Sequence, residues 1–421
     1  MNFSIFKNKN YSLFIFGQAT SLLGTGFLNV AMALYVLNIT GSAGKFSSIL
    51  ALGVIPNIVL GPVAGTIVDK VNRKKMIISM DLLRGIFALI LFIYSIYNPI
   101  SIPIVYVLVI FYSVCQVFFS PAFVTILPSI VKKDELVDAN SMQRTISETI
   151  FAAAPFLGAL FFGLYGLSII LFIDGLTYLI SGFSEMFMEV PLLEREKEKI
   201  PFVKEVLDGF KVLFIDIRIT SLISNGILTH LFLTPFALVG FPYIIVTILG
   251  GKSVDYGIVE SVATIGSILA VFAVGFFKKK YNIAQCISIG ILGMIVFVIS
   301  MLPLSNQYFI NLLQRNSLLI VLFFSITIFI VYISFGFYGV FYVTFYQTTI
   351  PKNKLGRYVS VQALFFSLAR LLGFKFYGYM LDNFSLIFPI IILGIGMSLK
   401  VVVHIPFIKE TNKLETVNAR K

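Results

Sequence analysis

The sequence predicts an all-α integral membrane protein with twelve transmembrane helices in two pseudo-symmetric six-helix bundles. Composition is the first reason, because 58% of the 421 residues are hydrophobic and only 12% are charged. A bilayer core about 30 Å thick needs about 20 mostly apolar residues per helix, and such stretches recur along the chain. A membrane β-barrel would instead show alternating segments of about 10 residues. The other two reasons are a polar stretch that halves the chain and an internal repeat.

The apolar runs of spanning length follow one another from end to end. In order, they cover residues 11–38, 45–68, 76–97, 102–130, 138–163, 166–189, 218–249, 254–277, 283–304, 318–349, 358–380 and 384–407. The first run lacks a small-residue cleavage site, so we expect a retained span rather than a signal peptide. Cys115 and Cys286 lie in separate runs, which indicates two isolated core thiols.

A long polar stretch, residues 191–217, divides the spans six and six. We therefore expect an N-terminal bundle over residues 1–190, a cytosolic linker, and a C-terminal bundle over residues 218–421. The second part of the linker, Phe202 to Phe214, carries apolar residues at helical spacing. This spacing predicts an amphipathic helix on the membrane surface that tethers the bundles.

The segments before spans five and eleven repeat one another. Lys, Leu, Ser and Gln recur at a constant offset of 219, at Lys133, Leu136, Ser141 and Gln143 and again at Lys352, Leu355, Ser360 and Gln362. Such a repeat indicates parallel duplication of a six-helix unit. In transporters built this way the substrate site lies near mid-membrane between the halves.

The placement of positive charge decides topology and excludes a nucleic-acid partner. Of the 32 Lys and Arg residues, the outer loops contain only Lys45, Lys252 and Arg315, and the spans contain only Arg84, Arg144, Arg370, Lys375 and Lys400. The rest fall in cytosolic segments when the N-terminus is placed inside. This asymmetry predicts that both termini are cytosolic, and it leaves no separate basic domain for DNA or RNA.

Charged residues within the spans are candidates for proton coupling, because each costs roughly 2.5 to 3.5 kcal/mol at a helix centre. Arg144 and Glu148 stand four residues apart on one helix face, whereas Asp174 has no cation within reach in its own span. Arg370 and Lys375 lie in span eleven. Two interpretations stay open: Glu148 or Asp174 binds and releases a proton, or these residues form fixed ion pairs between helices.

Two other groups have plainer interpretations. Asp81 and Arg84, three residues apart at the start of span three, are typical of a structural ion pair. His230 in span seven could titrate in the useful range, although a single intramembrane histidine is usually a hydrogen-bonded packing residue. His404 lies in another span, so zinc chemistry is not expected.

The loop between spans two and three reads Gly65-Thr66-Ile67-Val68-Asp69-Lys70-Val71-Asn72-Arg73-Lys74-Lys75. Gly65 and Asp69 share a helix face, and the basic residues hold the turn in the cytosol. This segment resembles the signature loop of the major facilitator superfamily of secondary transporters. The resemblance implies that Gly65, Asp69, Arg73 and Lys74 form a gating latch between the halves, with Asp69 held by the start of span eleven. The alternative is a topological anchor without a gating role.

Further segments resemble the twelve-span bacterial drug exporters of the macrolide-efflux type. They are Gly61-Pro62, Asp81-Leu82-Leu83-Arg84, Ala139-Asn140-Ser141 and Asp174-Gly175-Leu176-Thr177. The resemblance implies a bacterial plasma-membrane location. Antiporters of the wider group carry a Gly-x-x-x-Gly-Pro-x-x-Gly-Gly motif in span five. Here Pro155 and Gly158 remain, but Ile150, Ala154 and Ala159 replace three glycines, so proton coupling does not follow from this motif.

By the same resemblance, spans one, four, seven and ten line the substrate cavity. The polar cavity candidates are Asn29, Gln116 and His230, followed by Gln18 and Asn225, and Tyr338 belongs to an aromatic group on span ten. Few hydrogen-bonding groups and many rings suit bulky amphipathic or cationic molecules better than sugars.

The leading functional hypothesis is a proton-coupled exporter of hydrophobic drugs that works by alternating access. The alternatives are a facilitator or importer for a nutrient, metabolite or siderophore, and a membrane sensor or assembly partner that does not transport. The sequence contains no Walker loop and no catalytic constellation, so we expect neither an enzyme nor a cofactor. The expected partners are a small-molecule substrate and the lipid bilayer, around a monomer driven by an ion gradient.

Overall fold

A computed structural model describes residues 3–132, 135–190, 211 and 213–419, and within these ranges the protein is helical and contains no strand. Its helices are α1 (Lys9–Thr40), α2 (Ala43–Lys70), α3 (Arg73–Tyr97), α4 (Ile102–Ile130), α5 (Leu136–Met186), α6 (Ile217–Leu228, with π-helical continuations), α7 (Ser253–Phe277), α8 (Ile283–Met301), the short α9 (Gln307–Gln314), α10 (Ser317–Thr349), α11 (Lys352–Asn383) and α12 (Ile387–Ala419). The predicted all-α membrane fold is confirmed. The predicted surface helix at residues 202–214 lies largely outside the described residues.

Eleven helices in the described ranges are long and apolar enough to cross a membrane. One of them, α5, contains a candidate region of 49 residues, which is about twice the length that one crossing needs. Gly166 breaks α5 with a φ of +72°, a left-handed conformation that glycine adopts without strain. The two parts of α5 correspond to predicted spans five and six.

α6 departs from the regular helix that the sequence predicts over residues 218–249. After Leu228 it continues through three π-helical segments, Thr229–Leu233, Phe236–Gly240 and Tyr243–Ile248. Pro235 and Pro242 directly precede the second and third segments. Because proline has no backbone N–H and clashes with the preceding turn, it favours a local change of hydrogen-bonding pattern.

The chain forms two compact units. Unit one contains Met1–Gly41, Leu52–Lys197 and Lys252–Ser261, and unit two contains Ser42–Ala51, Glu198–Gly251 and Val262–Lys421. The first turns of α2 therefore group with unit two, and those of α7 group with unit one. The domain boundaries predicted from the sequence, at residues 190 and 218, stay a prediction.

In unit one, α1 packs closely against α5 at small residues. A Cβ added at Gly26 would lie 2.5 Å from the Cβ of Ala154, and one added at Gly158 would lie 2.8 Å from the Cα of Phe27. The buried Tyr11 hydroxyl donates to the carbonyl of Ala139 at 2.9 Å, which ties α1 to the start of α5. Membrane helices associate at such small residues because lipid gives no hydrophobic drive for contact.

Aromatic side chains fill the interior of unit two. Phe236 of α6 meets the rings of Phe241, Phe297 and Tyr377 at centroid distances of 6.0, 6.4 and 5.7 Å, all near perpendicular. Edge-to-face pairs of this kind add stabilisation beyond their buried area, about 0.5–1.5 kcal/mol each. They fix the π-helical part of α6 against its neighbours.

The α1–α5 contact predicts the effect of adding one methyl group. Gly158→Ala should lower the thermal unfolding temperature of the protein purified in detergent, because overpacking against backbone atoms costs about 1–3 kcal/mol. Gly339→Ala is the matched control, since a Cβ at this helical glycine meets nothing within 4 Å. An equal unfolding temperature for the two variants would contradict the close packing.

Candidate functional site

A group of buried charged and polar side chains lies inside unit one around the guanidinium of Arg84. Arg84 of α3 is 2% exposed and forms an ion pair with Asp81, one helical turn away, at 3.7 Å. It also donates to the side-chain carbonyl of Gln116 at 2.9 Å and to the hydroxyl of Tyr178 at 3.4 Å. The rings of Phe119 and Tyr178 cover its guanidinium at 5.2 and 5.3 Å. The predicted Asp81–Arg84 contact is thus present within a larger network.

Asp174, in the second part of α5, is fully buried beside this network. The Tyr112 hydroxyl donates to its carboxylate at 2.5 Å and also lies 3.2 Å from the backbone carbonyl of Arg84. The hydroxyls of Tyr178 and Thr25 are 2.8 Å apart. The Tyr112 hydroxyl thus contacts both α3, which carries Arg84, and α5, which carries Asp174. Thr25 connects α1 to α5 through the Tyr178 hydroxyl.

A third acid, Glu185, completes the group that we call the Arg84 cluster: Asp81, Arg84, Tyr112, Asp174, Tyr178 and Glu185. Glu185 is fully buried and interacts electrostatically with Asp81 and Arg84. Neither of its carboxylate oxygens has a hydrogen-bond partner among the described residues. The cluster therefore contains three carboxyl groups and one guanidinium.

Two glycines of α1 seal the cluster on one side. A Cβ at Gly24 would overlap the Thr177 hydroxyl oxygen and lie 3.1 Å from Asp174, and one at Gly17 would lie 3.5 Å from Glu185. A side chain at Gly24 would overlap Thr177 and one at Gly17 would fit only tightly, so the backbone of α1 lies directly against the acid-bearing face of α5. Such an approach excludes water from this side of the cluster.

Gln116 connects the cluster to the outside of unit one. Its side-chain carbonyl accepts from the buried Arg84, although Gln116 itself is exposed on α4. Asn29 is likewise exposed on α1. Both residues were predicted to line a substrate cavity, and their exposure is compatible with that role.

A second polar surface of unit one lies on the first part of α5. We call it the α5 polar stripe, and it comprises Asn140, Ser141, Arg144, Thr145, Glu148 and Thr149, of which all but the half-buried Glu148 are exposed. The predicted Arg144–Glu148 pair is present at 3.8 Å, with side chains 71% and 38% exposed. Nearby, Gln18 accepts from Gln143 at 3.0 Å and lies 3.4 Å from the Ser147 hydroxyl.

The remaining cavity candidates lie in unit two and are more enclosed. His230 packs against the ring of Phe366 at 4.4 Å and lies 3.4 Å from the Thr234 hydroxyl. Asn225 is fully buried and donates to the carbonyl of Ser221. Tyr338 is 3% exposed. Asn225 and Tyr338 therefore face the packed interior of α6 and α10 in this structure.

The two predicted cations of α11 have no carboxylate partner among the described contacts. The Nη2 of Arg370 donates to the Ser367 hydroxyl at 3.3 Å. The Nζ of the exposed Lys375 donates to the Ser48 hydroxyl, in the first turns of α2, at 2.8 Å. Lys375 therefore helps to hold the start of α2 within unit two.

Asp382, at the end of α11, caps the start of α2. Its carboxylate accepts from the backbone N–H groups of Ala43 at 2.7 Å and Gly44 at 3.0 Å, and from the Ser42 hydroxyl at 2.6 Å. The helices touch there, since a Cβ at Gly378 would lie 2.7 Å from the Cβ of Ser47. The free amides of a helix start favour a negative group at this place.

Of the predicted gating residues, Lys74 has a defined partner: its Nζ donates to the carbonyl of Met186, at the end of α5, at 2.8 Å. Arg73 is half-buried at the start of α3. Gly65 and Asp69 lie in α2, but their surroundings fall outside the described part of the structure. The latch that the sequence predicts for Asp69 stays a prediction.

Sequence reasoning missed Glu185, Glu260 and Asp382. The signal for Glu185 was available, because Asp174, Tyr178, Ser181 and Glu185 repeat at helical spacing and form one polar face in an apolar span. Glu260 is half-buried in α7 and accepts from the Tyr256 hydroxyl. Among the described residues, no cluster of His, Cys, Asp and Glu could hold a metal ion.

Comparison with known proteins places this architecture in a family. A sequence model described as the Major Facilitator Superfamily matches residues 14–374. Macrolide efflux protein A of Streptococcus pyogenes is 25% identical over 413 residues, which cover 97% of this chain and 98% of the relative. Macrolide efflux protein A of Enterococcus faecalis is 26% identical over 337 residues, covering 79% of this chain and 99% of the relative.

Among solved structures, the nucleoside transporter NupG aligns with a TM-score of 0.69 at 13% identity, over 96% of this chain and 98% of that one. At this identity the likeness shows the fold alone.

The Arg84 cluster predicts a large difference between two arginine variants. Arg84→Met should destabilise the purified protein by about 3–5 kcal/mol, because it leaves buried carboxyl groups without their cation. Arg144→Met is the matched control, since the Arg144–Glu148 pair is exposed and such pairs contribute about 0–1 kcal/mol. Thermal and denaturant unfolding in detergent measure both. Similar losses in the two variants would contradict the special role of Arg84.

The cap at Asp382 predicts a local effect on α2. Asp382→Ala should speed hydrogen exchange of the Ala43 and Gly44 amides about tenfold, since loss of a helix cap costs about 0.5–2 kcal/mol. Mass spectrometry of peptides that cover residues 42–51 measures this. Asn383→Ala, at the exposed neighbouring position, should leave exchange unchanged. Equal exchange in the wild type and Asp382→Ala would show that the cap contributes nothing.

Proposed function

Because the chain belongs to the Major Facilitator Superfamily and is therefore a membrane transporter, we propose that it exports hydrophobic or amphipathic molecules of the macrolide type, driven by protons. The substrate class is supported by two relatives, aligned over 97% and 79% of this chain, that are named as macrolide efflux proteins. The exposed amides of Asn29 and Gln116 are the proposed substrate contacts, because sites for such molecules combine a small number of polar groups with apolar walls.

The charge balance of the Arg84 cluster is the observation that carries proton coupling. Three buried carboxyl groups surround one guanidinium, and Glu185 has no hydrogen-bond donor among the described residues. Burial of an unpaired carboxylate is so costly that the group takes a proton instead. The proposal is that at least one of Asp81, Asp174 and Glu185 is neutral in this conformation, and that transport releases its proton.

Gln116 offers a route from this proton to the substrate. Arg84 divides its interactions between the buried acids and the exposed Gln116. When a carboxyl group of the cluster gains a proton, it attracts Arg84 less, so the bond from Arg84 to Gln116 strengthens. Loss of the proton reverses this change. Proton binding inside unit one thereby alters a polar group on its surface.

The α5 polar stripe supports a water-filled path to unit one. Ionisable residues in membrane spans face a bundle interior or a water-filled cavity, and the stripe places Arg144 and Glu148 among exposed hydroxyl and amide groups. Glu148 is the water-accessible carboxylate of the proposal, and Asp174 is the enclosed one. A proton that crosses the membrane supplies about 2.3 kcal/mol per 100 mV.

The proposal keeps the predicted topology and gate. Both termini lie in the cytosol of a bacterial cell, the protein works as a monomer by alternating access, and Gly65, Asp69, Arg73 and Lys74 form the gating loop. Arg370 and Lys375 stay candidates for contact with a carboxylate in another conformation.

Inverted membrane vesicles test the proposed function with radiolabelled erythromycin, a macrolide. Energised vesicles with the wild-type protein should accumulate it, and an uncoupler should abolish accumulation. Asp174→Asn and Glu148→Gln should each reduce proton-driven uptake about tenfold or more, because a neutral amide cannot exchange the proton. Glu410→Gln is the control, since Glu410 lies near the end of α12 beside Lys413.

Accumulation that resists the uncoupler would contradict proton coupling. Full activity in both variants would remove Asp174 and Glu148 from the proton path. Absence of energised erythromycin uptake by the wild type would contradict the macrolide proposal.

A further inference from the structure

A fully buried lysine lies inside unit two. The Nζ of Lys400, in α12, donates to the hydroxyl of Thr229 in α6 at 2.5 Å and to the thioether sulfur of Met294 in α8 at 3.4 Å. It also lies 4.5 Å from the centre of the Tyr338 ring in α10. Four helices therefore meet at one amine, which we call the Lys400 cage.

The cage provides acceptors for a charged ammonium group. An ammonium has three N–H donors and no acceptor, and the cage offers an oxygen, a sulfur and the electron-rich face of a ring. The Thr229 hydroxyl donates its own hydrogen to the carbonyl of Asn225, which leaves its lone pairs to Lys400. These contacts satisfy the N–H donors of Lys400 inside unit two.

Unit two offers this charge no counter-ion among its described side chains. Each of the described acids is engaged elsewhere: Asp216 binds Arg218 at the start of α6, Asp382 caps α2, and Glu410 pairs with Lys413. Burial without a counter-ion favours the neutral amine, whereas the cage favours the ammonium. Such opposed influences make the charge of Lys400 easy to change.

The internal repeat places the cage where unit one has its own cation. Asparagines cap the starts of both α3 and α8, at Asn72 and Asn282. When the two sequences are aligned at these caps, Met294 corresponds to Arg84. At the repeat offset of 219 residues found in the sequence, Lys400 corresponds to Ser181, which lies on the acidic face of α5. The cage thus corresponds to the region of unit one that holds Arg84, although Arg84 and Lys400 themselves stand at different positions of the repeat, and carboxyl groups are described in the first region and none in the second.

The cage also touches the point where α6 changes its geometry. Thr229 is the first residue of the first π-helical segment. One turn before Lys400, Gly396 allows α12 to approach α6 so closely that a Cβ there would overlap the Phe232 ring. A change in the charge of Lys400 therefore acts directly on the π-helical part of α6.

From these contacts we infer that Lys400 is a proton-binding residue of unit two, which is a neutral amine in the closed cage and takes up a proton from water when α12 and α6 separate at Thr229. The inference rests on the proposed proton coupling and adds a second proton site to it. The titratable groups that face Lys400 are Tyr338 of α10, His230 of α6 and His404 of its own helix, and all three are neutral or cationic. His404 lies 3.3 Å from the carbonyl of Ala284 through Nε2, so this nitrogen carries the hydrogen.

Difference titration of the purified full-length protein in detergent tests the inference without any substrate. Wild type should release one more proton than Lys400→Met between about pH 5 and about pH 9, a range in which exposed lysines, which titrate near pH 10.4, stay charged. Lys409→Met is the matched control on the exposed surface of α12, and should match the wild type. Lys400→Arg keeps a permanent charge in the cage and should lack the same proton as Lys400→Met.

The absence of a difference between the wild type and both Lys400 variants would overturn the inference. If Lys400→Met does not fold, Lys400→Arg alone supplies the comparison. In proteoliposomes with radiolabelled erythromycin, Lys400→Arg should move one proton fewer per erythromycin than the wild type. If the wild type transports no erythromycin, the proposed function fails, and the titration still decides the role of Lys400.

Discussion

The absence of water from the bilayer interior is the constraint on which the rest of this structure depends. A charge within a span must find its partners inside the protein, because the lipid offers none. Arg84 meets this requirement with a carboxylate, an amide, a hydroxyl and two rings. Lys400 meets it with a hydroxyl, a sulfur and one ring. The partners of Arg84 and of Lys400 come from different helices, so each of these two residues also holds several helices together.

Close helix packing follows from the same requirement. The acids of the Arg84 cluster stay enclosed because Gly17 and Gly24 let the backbone of α1 approach them. Likewise, Gly396 brings α12 to the π-helical part of α6 beside the Lys400 cage. The duplicated halves therefore share a packing scheme but differ in chemistry, with three acids around a guanidinium in unit one and, in unit two, an amine without a carboxylate partner among the described residues. A transporter needs such a difference if each half is to respond to protons in its own way.

Local patterns explain what the sequence could predict. Long apolar runs identify the spans, and spacings of three and four residues identify the Asp81–Arg84 and Arg144–Glu148 pairs. The sequence could not predict contacts between helices that are distant along the chain, because these depend on which helix faces pack together. Examples are Tyr112 with Asp174 and Lys400 with Thr229. The π-helical segments of α6 depend on tertiary packing around Pro235 and Pro242 and leave no periodic signal. Glu185 was missed although its helical spacing from Asp174 was readable in the sequence.

The central claim is that the Arg84 cluster holds a neutral carboxylic acid within unit one. Infrared spectroscopy of the purified protein at neutral pH tests this claim most directly, because the carbonyl stretch of a neutral carboxyl group is separate from that of a carboxylate. The account predicts such a band, shifted in deuterium oxide and diminished in at least one of the variants Asp81→Asn, Asp174→Asn and Glu185→Gln. A spectrum without this band, or a band unchanged in all three variants, would show that the three acids of the cluster are ionised and would contradict the account.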